Sequence, residues 1–162
     1  MNRHDFALTF ARDLASVKAE ILAYPDDTTP WATPAGAPNS GGNLVLHLAG
    51  NLRHFIGAGL GGSGYARDRD AEFAARSGTR AALAALIDIT AAEVAHGMRV
   101  ATDAQFAAPI TLVNVTIPVR RAILQFAIHL GYHLGQLDYH RRLVTGDKTG
   151  VGAMGLPPLA DQ

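Results

Sequence analysis

The stretch Ile128-His129-Leu130-Gly131-Tyr132-His133-Leu134-Gly135-Gln136 sits inside a long apolar segment, and its reading decides the fold. Around it Ile123, Phe126, Ala127, Leu130, Leu134 and Leu137 recur at three- and four-residue intervals, which is the stripe of a helix with one side in a core. At roughly 100° per residue, His129, His133, Gln136 and His140 fall on a second stripe to one side of the first. His129 and His133 are four apart, so their rings project from one side of the helix, one turn above the other. Two imidazoles so placed can share a metal ion. The spacing also fits a solvated or hydrogen-bonded pair that holds none.

Working outward, three further helices are expected. The first runs from about Arg3 to Tyr24 through Phe6, Phe10, Leu14, Val17 and Ile21, and Pro25 ends it. After a Pro/Gly-rich loop, with Asn39 or Ser40 as N-cap, the second spans about Gly42 to Ala58 and stops at a run of glycines. A third extends from the cap Thr79 to about Val100. Residues 65–76 are charged and read as a surface connection. Pro109 to Pro118, β-branched and bracketed by prolines, reads as an extended connector or short hairpin. The last helix starts at about Pro118 and ends before Gly146, and the remaining tail shows no core role. Four amphipathic segments with one long connection match an all-α four-helix bundle, here a single domain over residues 1–162.

In the second helix, His47 and Asn51 lie beside a core face made by Leu44, Leu48, Leu52 and Phe55. His47 is therefore the candidate third ligand. Two ligands from one helix and one from another leave a coordination position open, which is what a reactive metal needs. His140 lies about 10 Å along the helix from His133, too far to share an ion, and is expected to bind substrate or face solvent. His54 is displaced from His47 in the same way, and His4 and His96 read as surface residues. Arg141 and Arg142 fit a role at the helix C-terminus. Gly131 and Gly135 make either a groove for close approach of another backbone or room beside the histidines. Asp138 projects elsewhere, and no carboxylate lies within a turn of the three histidines on their face, so the motif itself carries no general base.

Composition narrows the function classes. Lys and Arg total 14, as do Asp and Glu, so the balanced chain has no electrostatic footprint for nucleic acid or an anionic membrane. There are no cysteines, which excludes disulfides, thiolate-ligated metal and a cysteine nucleophile. Arg3, Asp5, Arg12 and Asp13 interrupt any signal-peptide core, and no uninterrupted apolar run approaches the roughly 20 residues of a membrane span. The expected location is cytoplasmic.

The pattern His129-x-x-Tyr132-His133-x-Gly135-Gln136-Leu137, preceded by His47-Leu48-Ala49-Gly50-Asn51, resembles the DinB-like (YfiT-like) superfamily of metalloenzymes. The stretch from Leu44 to Gly62 looks like an uncharacterised subfamily within it. The likeness covers helix order from the first helix to Leu143. It implies a bundle with up-down-down-up connectivity, often a homodimer, and a divalent ion, nickel or zinc, held by His47, His129 and His133. It further implies transfer or isomerisation of groups with a low-molecular-weight thiol on a small-molecule substrate. Asn51 is then a candidate for positioning substrate, and Gln136 for contacting substrate or orienting a ligand histidine. A metal- or small-ligand-binding bundle without turnover is the alternative, and a structural dimer that binds no metal is a third reading.

Overall fold

The computed structural model describes residues 2–160, and among these the chain is mostly helical with one short hairpin. Helix α1 (Arg3–Leu22) opens with a capping box in which Asn2 accepts from the Asp5 amide and the Asp5 side chain accepts from the Asn2 amide. It buries Phe6, Phe10, Leu14, Val17 and Ile21. A loop containing one 3-10 turn, Thr29–Trp31, leads to α2 (Gly41–Leu52), capped by Ser40 with Asn43 as its reciprocal partner. The helix then widens into a π turn over Arg53–Ala58 before the glycines stop it, so the second segment is two local geometries in sequence.

Residues 65–76 are not simply a surface connection. They contain α3 (Arg69–Ala74), capped by Asp68, which packs on α2 and buries Glu72. Helix α4 (Arg80–Val100) is capped by Thr79 as expected. It is long and apolar enough to cross a membrane by length and mean hydropathy. Leu83, Ile87, Val94 and Met98, however, are buried in the core. Helix α5 (Asp103–Ala107), unexpected from the sequence, forms on a Thr102–Gln105 capping box. Strands β1 (Pro109–Leu112) and β2 (Val115–Pro118) pair antiparallel, realising the extended connector as a hairpin. Helix α6 (Val119–Thr145) ends at Gly146, whose φ of 72° is the left-handed cap that glycine accepts without strain.

α1 and α2 each pack against both α4 and α6. Their apolar stripes meet in one core that includes Phe10, Leu14, Leu48, Leu52, Ile87, Ile123 and Leu130. Fully burying each such side chain contributes on the order of 1.5–3 kcal/mol. The C-terminal tail is tied down: its 3-10 turn Pro157–Leu159 packs on α1, and the Thr149 carbonyl accepts from Arg141 Nη2 at 2.6 Å.

Two residues of α6 depart from their sequence reading. Arg141 is fully buried, its Nε 2.5 Å from Glu20 Oε2 on α1, so it is a core ion pair rather than a terminal charge. His140 is buried too, with Nδ1 2.6 Å from the Tyr24 hydroxyl and Nε2 2.9 Å from the Ala32 carbonyl. It anchors α6 to the loop before α2. A Cβ at Gly41 would lie 2.5 Å from the Tyr24 hydroxyl, so glycine there permits this close approach. Around Gly131 and Gly135, by contrast, no heavy atom beyond their own helix lies within 4 Å of an added Cβ. They form no tight helix contact within the described residues of the chain.

Candidate metal centre

α2 and α6 bring three histidines together as their stripes predicted. His47, His129 and His133 each offer a ring nitrogen, and these atoms lie within 4.8 Å of one another, a group that could hold a metal ion. His47 Nε2 and His129 Nε2 are 3.1 Å apart. Two nitrogens bound at 2.0–2.1 Å to a tetrahedral ion are separated by about 3.3 Å, so that pair already has ligand spacing. The rings pack edge to face, with centroids 4.5 to 5.3 Å apart across the three pairs. His54 and His140 lie outside this group.

Two of the three rings are held at their second nitrogen. His133 Nδ1 lies 2.6 Å from Gln136 Oε1, which fixes Nδ1 as the protonated nitrogen because the amide oxygen can only accept. His47 Nδ1 lies 3.1 Å from Glu72 Oε2, with Arg67 Nη2 3.2 Å away. A carboxylate oxygen only accepts, and an unprotonated Nδ1 facing it would set lone pair against lone pair. The consistent assignment is that His47 Nδ1–H donates to Glu72 Oε2, which also accepts from Arg67 Nη2 at 2.8 Å. Nε2 of His47 then carries a lone pair facing the other histidines. His129 Nδ1 is buried without a hydrogen-bond partner among the described residues.

The sequence reading missed Glu72 and Arg67. The carboxylate absent from the histidine helices is supplied by α3, 25 residues from His47. It is not free to act as a base toward a substrate: Oε1 accepts from Arg67 Nε at 2.6 Å, and Oε2 accepts from Arg67 and His47. Its geometry is that of a carboxylate orienting a histidine. Gly50 makes the approach possible, since a Cβ there would lie 1.9 Å from Glu72 Oε1. Phe73, next along α3, closes over His47 with ring centroids 4.9 Å apart.

Burial disfavours the charged form of His47 and His129. It lowers the pKa of His47 against the opposing pull of Glu72. It lowers that of His129 to about 4, helped by repulsion from His133 and His47. Neutral imidazole is the state that ligates metal. Asn51, one turn beyond His47 on α2, is buried with its Oδ1 unpartnered, an acceptor without a donor among the described residues. Gln136 is exposed and holds His133.

No curated protein and no solved structure matches the chain. A family model, that of a protein of unknown function designated DUF1572, matches residues 9–152, most of the chain. That family is DinB-like, so the chain belongs to the DinB-like family DUF1572.

Proposed function

We propose that this protein is a divalent-metal-dependent enzyme that couples a low-molecular-weight thiol to a small electrophilic substrate, by S-transfer or isomerisation. Its long helices α1, α2, α4 and α6 are read as a DinB-like four-helix bundle of up-down-down-up connectivity. The observation that carries the proposal is the convergence of three imidazoles, two of them already at ligand spacing and one with its distal nitrogen on a carboxylate.

The donor set fits a resident ion: three nitrogens, no thiolate or carboxylate among them, and a position left open. His47, His129 and His133 would hold nickel or zinc; imidazoles alone do not choose between them. When bound, such an ion favours the ionised form of a thiol beside it. The chain's own residues do the rest. Glu72 keeps His47 Nε2 unprotonated, Gln136 does the same for His133, and Phe73 shields one side of His47 from water. Asn51, whose buried Oδ1 has no donor among the described residues, would position the substrate. With Glu72 engaged, the site holds no carboxylate free to activate water, which favours a nucleophile brought in by a cosubstrate.

The test is a conjugation screen with metal-loaded protein, several low-molecular-weight thiols and 1-chloro-2,4-dinitrobenzene. In that reaction the thiol loses its proton to solvent, sulfur bonds to the ring carbon, and chloride leaves. Metal-dependent product with one thiol supports the reading; bound metal with silence across every thiol supports a non-catalytic binder. The proposal extends to a cytoplasmic homodimer, and α6 leaves Leu124 and Ile128 exposed for a partner copy. Light scattering that gives a monomer mass would remove the dimer.

A further inference from the structure

A cavity of about 550 Å³ lies between the C-terminal half of α6 and the loop of residues 34–39 that leads into α2. Leu44, Tyr132, Tyr139 and Leu143 give it apolar walls, and His133, Gln136 and His140 line it as well. His133 therefore belongs both to the histidine group and to the cavity wall. No Asp, Glu, Lys or Arg is among the lining residues.

These walls specify a ligand class. An ion entering the cavity would shed water without meeting a counter-charge, whereas apolar surface gains from the tyrosine rings and leucines. Gln136 spends its oxygen on His133 Nδ1, so its amide N–H groups are what it offers a ligand. We propose that the cavity binds an uncharged, mainly apolar small molecule with a hydrogen-bond acceptor placed toward Gln136, and that this molecule is the electrophile of the histidine site. The link to the reaction rests on the metal-centre reading above; the ligand class rests on the cavity walls.

Metal-free protein is titrated with 2-naphthamide and with its near-isosteric anion 2-naphthoate, followed by calorimetry and by the ring-proton NMR signals of the histidines. Naphthamide is expected to bind saturably, one per chain, and naphthoate about tenfold or more weakly, because its charge is left unpaired. Naphthamide should shift the His133 signal with the calorimetric midpoint and leave that of exposed His96 unmoved. Leu143 is 71% exposed, so Leu143→Arg brings a cation to the wall without disturbing the core. It should narrow or reverse the preference. Equal affinities, no saturable naphthamide binding, an unmoved His133 signal, or an unchanged preference in Leu143→Arg would each overturn the proposal. Because no metal is added, such a failure would leave metal binding by the triad intact, and failure of metal binding would leave these affinities as they are.

Discussion

Glu72 Oε2 lies 3.1 Å from His47 Nδ1, so a six-residue helix remote from the histidine motif sets the orientation and tautomer of one histidine. The same carboxylate is gripped by both nitrogens of the Arg67 fork, at 2.6 and 2.8 Å, which fixes its position beside His47.

Removing that charge should loosen the metal without removing any ligand. Glu72→Gln is expected to lower zinc affinity about 10- to 100-fold, as loss of a carboxylate behind a ligating histidine does. Gly50→Ala should act in the same direction by pushing Glu72 off His47, even though alanine raises helix propensity. Competition titration against a chromogenic chelator reads both. Wild-type affinity in both variants would mean that His47 needs no such support.

Asn51 should matter for turnover and not for folding. Its buried Oδ1 lacks a partner, a situation that costs on the order of 1–3 kcal/mol. Asn51→Leu is therefore expected to hold or raise the melting temperature while lowering kcat/KM for the thiol reaction. A variant with lower stability and unaltered kinetics would make the residue structural.

The pH dependence follows from the depressed histidines. His129 titrates at about 4 in the folded chain, and His47 and His140 are also shifted below their ordinary value, all chiefly by burial. In the unfolded chain they take up protons near pH 6.5. Between the folded and unfolded values the unfolded state binds more protons, so stability is fully present above about pH 6.5 and declines as pH falls toward 4. Urea unfolding of metal-free protein should show this decline, and His129→Ala should show a shallower one. Equal slopes in the two proteins would contradict the assignment.

The buried pair Glu20–Arg141 yields a stability prediction at a distance from the histidines. Both side chains are fully buried. Arg141→Met strands the carboxylate and is expected to cost about 3–5 kcal/mol, much of it recovered in the double variant Glu20→Met/Arg141→Met. Denaturant midpoints of the four proteins provide the cycle. Independent, additive effects would show that the pair does not act as a unit.

Much of this was legible because helical periodicity is a local property. The stripes of α1, α2, α4 and α6, the cap Thr79, the choice of Asn39 or Ser40 as the other cap, and the extended character of Pro109 to Pro118 all follow from neighbouring residues. So did the sides on which His47, His129 and His133 stand. α3 was not legible, since a six-residue helix is made by tertiary packing and has too few turns to show a period. The glycine at position 50, within a helix, was the one available sign that something had to approach there. Arg141 continues the stripe Leu130, Leu134, Leu137, and Glu20 that of Leu14 and Val17. Reading those charges as core members would have found their pairing. The burial of His140 was not legible because its partners, Tyr24 and the loop carbonyl of Ala32, come from elements whose approach no local pattern encodes.

The most direct measurement is the metal content of tag-free protein, by elemental analysis, in the wild type and in His47→Ala, His129→Ala, His133→Ala and His54→Ala. One zinc or nickel per chain is expected in the wild type and in His54→Ala. Each of the other three should lose it, with helical circular dichroism retained. A wild type free of metal after growth in zinc and nickel, or stoichiometric metal that survives removal of any one of the three rings, would contradict the account.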